Sequence, residues 1–185
     1  VDPAAYPPTT PEDETASALF VGDFTEPPNR EAAAIITSEF APKLPLIPFM
    51  LLGRYPPANL RSHRNVLVLG PVRDLRPVIG RAGVCIAPIV HGGGTRIKIL
   101  TYLAAGKAVV ATTRACEGLA VLNERHLLVR DSWPAFVAGI RRPLGDPVWR
   151  LELGRAGRDL VKHRYDWRLH VKSLEENLQR IVRAG

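Results

Sequence analysis

The chain contains the stretch Val84-Cys-Ile-Ala-Pro-Ile-Val-His-Gly-Gly-Gly-Thr-Arg-Ile-Lys-Ile-Leu-Thr-Tyr-Leu-Ala-Ala-Gly106, with Ala108-Val-Val-Ala-Thr112 just behind it. Short apolar runs at both ends, Val84–Ala87 and Ala108–Thr112, predict buried strands. Between them, apolar residues recur at helical spacing, at Ile97, Leu100, Leu103 and Ala104. Gly106 then stands where the end of a helix favours glycine. This order of strand, glycine-rich loop, helix and strand predicts an α/β fold.

The loop inside this unit predicts an anion site. Its three glycines let the backbone approach a ligand closely, and the free N–H groups that open the next helix favour negative charge. Thr95 adds a hydroxyl, while Arg96 and Lys98 add cations that suit a phosphate. Two residues that are two apart on a helix point about 200° apart, so both cations reach one phosphate only if Arg96 precedes the helix. The alternative is a tight turn with two solvated basic side chains.

Similar apolar runs predict a sheet of about six strands: Ala18–Gly22, Pro48–Gly53, Asn65–Gly70, Val84–Pro88, Ala108–Thr112 and His126–Arg130. From residue 132 onward the pattern is helical, with Ser132 and Asp146 as N-caps and a final helix from Arg168 to about Val182. The two cysteines form neither a disulfide framework nor a metal set. We expect Cys85 to lie in the core and Cys116 in a loop, partly exposed.

Three segments resemble one family of enzymes. Gly92-Gly-Gly-Thr-Arg-Ile-Lys-Ile-Leu100, Ala104-Ala-Gly-Lys-Ala-Val-Val-Ala-Thr112 and Glu117-Gly-Leu119 resemble the C-terminal, donor-binding domain of group 1 (family 4) GT-B glycosyltransferases. The resemblance extends from about Leu19 to the end of the chain. It implies a Rossmann-like, doubly wound parallel sheet, the C-terminal half of a GT-B fold. It also implies transfer of a sugar from a nucleoside-diphosphate sugar, with retention of the anomeric configuration, to an acceptor that the sequence does not identify.

The resemblance implies a set of site residues. Arg96 and Lys98 are the expected catalytic cations, which stabilise the leaving diphosphate, and Lys98 is the expected diphosphate contact. The expected donor-binding residues lie in loops and at the start of the glycine-loop helix: Gly22, Gly70, Val72, His91, Gly92, Gly93, Gly94, Thr95, Thr101, Glu117, Gly118 and Leu119. Asp23 and Arg54 are further candidates at the ends of the first two strands, where a capping role or a solvated cation would look the same.

Individual positions keep simpler alternatives. His91 is either a contact to the donor sugar or diphosphate, or a loop histidine bonded to backbone. Glu117 is either a carboxylate near the donor or a surface acid. Members of the family usually carry two glutamates eight positions apart, and the alignment puts Gly93 and Thr101 there. A threonine hydroxyl is shorter than a carboxylate and neutral, so this difference bears on how a donor ribose would be held.

Length and composition bound the domain organisation. A chain of 185 residues, 46% hydrophobic, suffices for one α/β domain but is short for a complete GT-B enzyme. We expect a proline-rich linker or arm at residues 1–16 and a nucleotide-sugar-binding domain at residues 17–185. Val1-Asp-Pro resembles the segment at which the family crosses between its domains. The expected partner is therefore an N-terminal acceptor domain of the same full-length chain, absent from this sequence.

Charge and apolar pattern bound the surroundings. The net charge of +7 fits an anionic substrate or an anionic membrane surface. The sequence lacks the basic stripe interleaved with aromatic residues that is typical of nucleic-acid-binding proteins, so we expect no nucleic acid partner. No apolar run has the length of a membrane span, and no signal peptide is evident, which predicts a cytoplasmic protein, alone or at the inner membrane surface. No cofactor is expected, and no metal, because there is no Asp-x-Asp pair.

Two other functions stay open. One is a non-catalytic binding or scaffolding domain, in which the missing glutamates mark lost activity. The other is half of a sugar-nucleotide epimerase or phosphorylase on the same fold, which would need other carboxylates or a cofactor lysine. Nucleotide titration separates the first from a transferase.

Overall fold

The structure, a computed structural model, describes residues 1–7, 10–57, 60, 63–92, 96–169 and 171. Six parallel strands form one sheet in the order β3-β2-β1-β4-β5-β6. The strands are β1 Thr15–Val21, β2 Phe49–Leu52, β3 Val66–Leu69, β4 Ala82–Ala87, β5 Val109–Ala111 and β6 Leu128–Val129. The helices are α1 Pro27–Ile35, α2 Arg76–Arg81, α3 Ile97–Ala104, α4 Thr113–Cys116, α5 Trp133–Gly145 and α6 Pro147–Arg164. The predicted Rossmann-like, doubly wound sheet of six strands is confirmed.

Helices cover both faces of the sheet, because side chains alternate along each strand. On one face, Phe20 of β1 packs in a cluster with α1, the π-helical turn Ile36–Phe40 and α5, where Phe40 and Phe136 stack at 4.8 Å. On the other face, Leu19 packs with α2, α3, α4 and α6. All six residues of β4 are buried, which explains why this strand appears in the sequence as a continuous apolar run.

The N-terminal segment contacts helix α6. β1 begins at Thr15, two residues before residue 17, where we predicted that the domain starts. Residues 1–7 lie against α6. Arg158 of α6 donates to the carbonyl oxygens of Pro3 and Tyr6, and the Trp167 N–H donates to the Val1 carbonyl at 3.1 Å. Where a domain boundary falls stays a prediction.

A buried group of charges lies at the amino edge of the sheet. The Glu14 carboxylate, immediately before β1, accepts hydrogen bonds from Lys107 and, at 2.7 Å, from Arg150 of α6. These three side chains are 3%, 0% and 9% exposed. Lys107 also donates to the Gly80 carbonyl, and Arg150 to the Pro143 carbonyl. The Glu14 group therefore ties the start of β1 to the loop before β5, to α2 and to the last two helices.

Two local predictions differ from the structure. Helix α4 was not predicted; its N-cap is Thr112, whose hydroxyl accepts from the Ala115 N–H. Cys116 lies in this helix rather than in an exposed loop, and burial raises the pKa of its thiol to about 12. Cys85 is buried, as we expected.

The structure describes little of the predicted C-terminal helix. Most of the helix expected at Arg168 to Val182 falls outside the described residues. In the described ranges, no helix is long and apolar enough to cross a membrane.

Candidate functional site

A cavity of about 250 Å³ lies at the carboxyl edge of the sheet, between the loop after β4, the start of α1 and the start of α3. This edge is where parallel α/β sheets bind ligands. Its lining includes Glu26, Pro28, Asn29, His91, Gly92, Arg96 and Lys98. Gly92 has a φ of +99°, and a Cβ there would lie 2.8 Å from Pro28 Cγ, so no side chain fits. We call this space the basic cavity.

Arg96 enters the basic cavity from the loop, because α3 begins one residue later. This satisfies the condition for Arg96 and Lys98 to face the same space. The Arg96 side chain is 11% exposed, and one of its terminal nitrogens donates to Glu117 at 2.9 Å. Its Nε is buried and has no partner in the part of the chain that the structure describes. Native proteins seldom leave such a donor unpaired, so this nitrogen is suited to an acceptor that a ligand brings.

Lys98 enters from the first turn of α3. Its Nζ donates to Asn29 Oδ1 at 2.8 Å and lies 3.9 Å from the centre of the Phe20 ring. Burial lowers the pKa of Lys98 to about 7, because the ammonium loses hydration that these neutral partners replace only in part. No carboxylate in the described ranges pairs with it, so its positive charge is not neutralised by the protein.

A second hollow, of about 270 Å³, lies beside the first at the ends of β1, β2 and β3. Gly22 and Val72 line it, as do Asp23 and Arg54, while Gly70 directly precedes its wall at Pro71. We call it the apolar hollow, because Val21, Leu52, Val72 and Leu75 supply much of its wall. A Cβ on Gly22 would lie 2.7 Å from Asn29 Cγ, so this glycine lets α1 approach the boundary of the two spaces.

Asp23 and Arg54 form an ion pair at the rim of the apolar hollow, with 2.5 Å between Oδ2 and a guanidinium nitrogen. The hydroxyl and the N–H of Thr25 also donate to Asp23. These hydrogen bonds, with Arg54, hold the pKa of the Asp23 carboxyl below its ordinary value. Asp23 therefore caps its own turn and pairs with Arg54 at the rim of the hollow, and a donor contact by either residue stays a prediction.

Glu117 lies next to the basic cavity through Arg96. Its carboxylate also accepts from Arg114 at 2.7 Å, so two guanidinium groups share one acid. Gly118 follows with a φ of +79°, and Leu119 lines a third hollow with Glu117 and Asp131 at the ends of β5 and β6. Glu117 therefore holds Arg96, and a direct donor contact by residues 117–119 stays a prediction.

Unlike Arg96 and Lys98, His91 and Thr101 do not lie deep in the basic cavity. His91 lines the mouth of the basic cavity and is exposed, with Nδ1 3.0 Å from a carboxylate oxygen of Glu31, a partner that we did not predict. Thr101 is partly buried one turn further along α3 than Lys98, and is not part of the described lining of the cavity. Gly93, Gly94 and Thr95 lie outside the described residues.

Sequence reasoning missed Asn29. Asn29 lies in the first turn of α1 and contacts Lys98, 69 positions later, a pairing that no local pattern in the sequence indicates. Among the described residues, no three His, Cys, Asp or Glu side chains lie together in a way that could hold a metal ion.

Comparison with protein families decides the relationship. The profile of the group 1 glycosyl transferases matches residues 15–146. The chain belongs to this family. A search of curated proteins finds no match.

Several proteins of known structure share this fold at low sequence identity. HepE from Anabaena, solved with UDP and glucose, has a TM-score of 0.80 at 14% identity over 97% of this chain and 55% of its own. Sucrose-phosphate synthase from Thermosynechococcus elongatus has a TM-score of 0.75 at 20% identity, over 100% of this chain and 52% of its own. The glycosyltransferase domain described here thus spans about half the length of these proteins.

A third structure has the length of the domain alone. It is the C-terminal domain of the group 1 glycosyl transferase LpcC from Francisella tularensis, with a TM-score of 0.67 at 15% identity. The match covers 89% of this chain and 98% of that one. The described residues therefore share the fold of the C-terminal domain of that group 1 glycosyl transferase.

Proposed function

We propose that this domain binds a nucleoside-diphosphate sugar and forms the donor-binding half of a retaining glycosyltransferase. The observation that carries the proposal is the convergence of Arg96 and Lys98 on one cavity at the carboxyl edge of the sheet. An unpartnered arginine nitrogen and a lysine without a carboxylate partner, among the described residues, favour a ligand that carries concentrated negative charge.

The two neighbouring spaces suit the two parts of a nucleotide. A diphosphate in the basic cavity would leave the nucleoside within reach of the apolar hollow, where Val72 and Leu75 present apolar surface to a base. UDP is a sensible first probe, because HepE was solved with UDP bound. This chain and HepE share the fold at low sequence identity, which does not identify the base that this chain binds. The titrations below therefore compare three bases.

The chemistry would be electrostatic. As the bond between sugar and diphosphate breaks, negative charge grows on the leaving phosphate oxygens. Fixed cations at that point stabilise the charge, and groups already in place need no reorganisation. Arg96 is held in place by Glu117, and Lys98 by Asn29. The N–H groups that open α3 add to this field.

The acceptor side belongs to the rest of a complete enzyme. We propose that an N-terminal domain of the same full-length chain closes over the carboxyl edge and supplies the acceptor, in the cytoplasm or at an anionic membrane surface. One observation favours the non-catalytic alternative: a threonine, Thr101, stands in place of the usual ribose-binding glutamate. Nucleotide binding and sugar transfer, measured on this domain, separate the transferase from the non-catalytic alternative.

We expect the isolated chain to bind a nucleoside diphosphate but to transfer no sugar. Binding needs only the basic cavity and the apolar hollow, whereas transfer needs an acceptor site that lies mostly outside this domain. Calorimetric titration with UDP, GDP and ADP measures the first half, and product assays with the matching nucleotide sugars measure the second. Selective binding of one nucleotide supports the transferase, while no binding favours the scaffold. Robust sugar transfer by this chain alone would refute the second half.

We expect Thr101→Glu to tighten nucleotide-sugar binding by about tenfold, if the donor ribose lies as in the family. A carboxylate accepts one or two charge-assisted hydrogen bonds from a ribose diol, each worth roughly 1.5–3 kcal/mol before desolvation losses. Thr101→Gln is the matched control, because it adds similar length without charge. Unchanged or weaker binding by the glutamate variant would mean that the ribose is held elsewhere.

A further inference from the structure

Asn29 occupies the wall between the basic cavity and the apolar hollow. Its Nδ2 donates to the carbonyl oxygen of Asp23, in the loop after β1, at 2.8 Å. Its Oδ1 accepts from Lys98 Nζ, also at 2.8 Å. Because one end of the amide must donate and the other must accept, these two partners fix its orientation. Gly22 leaves room for this side chain, since a Cβ there would clash with it.

We propose that Asn29 is a positioning residue, which holds the Lys98 ammonium toward a bound diphosphate and fixes its place relative to the loop beside the nucleoside. This inference rests on the proposed function and adds a residue that the sequence did not mark. Asn29 acts through Lys98 and through the Asp23 backbone, and need not touch the ligand itself.

The neutrality of Asn29 is the central point. An aspartate in the same place would form an ion pair with Lys98 and would also repel a diphosphate. The amide instead accepts one hydrogen bond and leaves the positive charge uncompensated. Phe20, which faces Lys98 from β1, favours the cation through its ring without neutralising it.

Other charged groups face Lys98 across the cavity, and they are few. Arg96 enters from the loop, Glu26 from the residue before α1, and His91, with its partner Glu31, from the mouth. Glu26 lines the cavity but makes no ion pair with Lys98 in the described ranges. Asn29 is thus the polar side chain in direct contact with the lysine.

Binding should therefore be linked to protons. In the free protein the pKa of Lys98 is about 7, below its ordinary value, and a bound diphosphate raises it because the anion favours the ammonium. Between these two pKa values the complex holds one more proton than the free protein. Affinity for the diphosphate then falls as pH rises above about 7, and binding takes up a proton.

The test is calorimetric titration of UDP at about pH 7.5 and about pH 9, in buffers of different ionisation enthalpy. This range avoids the terminal phosphate, which itself titrates near about pH 6. For the parent chain we expect binding to weaken by about tenfold between the two pH values, with proton uptake across this range. For Asn29→Asp we expect weaker binding at about pH 7.5 and almost no further change to about pH 9, because the new carboxylate keeps Lys98 protonated.

Two comparisons separate positioning from simple loosening of the fold. Ser38→Asp adds a negative charge at an exposed position of the Ile36–Phe40 turn, outside the lining of the basic cavity and of the two other hollows, and should keep the pH profile of the parent. Thermal unfolding shows whether each variant is folded. A folded Asn29→Asp with the affinity and pH profile of the parent overturns the inference, while loss of binding in Lys98→Ala alone leaves the proposed function standing.

A parent chain that binds none of the three nucleotides overturns the proposed function, and with it the ligand role of Asn29. The contact itself is then judged by NMR titration of the Lys98 side chain. A higher Lys98 pKa in Asn29→Asp than in the parent shows that the pair exists without a diphosphate role. An unchanged pKa shows that the two side chains do not interact.

Discussion

Lys98→Ala is expected to weaken binding of a nucleoside diphosphate by about 10- to 100-fold, and more than Arg96→Ala. A hydrogen bond to a charged group contributes about 1.5–3 kcal/mol, and about 1.4 kcal/mol is a factor of ten in affinity. Lys98 has the neutral Asn29 as its partner, so it shares its positive charge with no carboxylate among the described residues, and a bound phosphate favours the charged form. Arg96 already shares its charge with Glu117, which reduces what it offers a ligand.

Calorimetric titration of both variants with UDP, at about 0.05 M and about 0.5 M salt, measures the difference. The effect of Lys98→Ala should shrink at the higher salt, because added ions screen the attraction between lysine and diphosphate. Lys43→Ala is the matched control, since Lys43 is an exposed lysine paired with Glu39 and does not line the basic cavity. If Lys98→Ala binds UDP like the parent chain, the phosphate lies elsewhere.

Glu14→Gln is expected to lower the free energy of unfolding by about 3–5 kcal/mol. Glu14 is the acid shared by Lys107 and Arg150, and all three side chains are at least nine-tenths buried. Glutamine keeps the shape but removes the negative charge that Arg150 faces at 2.7 Å inside the fold. A buried ion pair that loses the charge of one partner is costly, because the protein interior hydrates the remaining charge poorly.

Urea denaturation followed by circular dichroism measures this loss. Glu39→Gln is the control, because it removes the same charge from an exposed ion pair on one helical segment and should cost less than about 1 kcal/mol. Equal denaturation midpoints for the two variants would show that water reaches the Glu14 group and that its charges are not buried.

The fold was predictable because its signals are local. Each strand is a short apolar run, and the glycine loop marks the carboxyl edge that binds ligands in this class of sheet. Helical geometry alone indicated that Arg96 must precede α3 if Arg96 and Lys98 are to reach one phosphate. Gly92, Arg96, Lys98 and His91 were all expected in one place, and the structure brings them to one cavity.

What the sequence did not show depends on partners far along the chain. Glu14 stands in an acidic, proline-rich segment that looks solvated, and its two cations lie 93 and 136 positions away. Asn29 looks like a helix-opening residue until Lys98, 69 positions later, is placed beside it. Cys116 was expected in a loop, partly exposed, because the four-residue helix that buries it has no periodic pattern to detect.

The strand order has a consequence for synthesis. A ribosome releases the chain from its amino end, at about 5–20 residues per second. β1 can then pair with β2, and β2 with β3, while the other edge of β1 waits for β4, whose register places Ala18 beside Val84. Until then, β1, which is one of the two central strands of the finished sheet, has one unpaired edge in the nascent polypeptide. We therefore expect chaperone contacts and premature aggregation to concentrate on β1 during translation, and to end once β4 has left the exit tunnel.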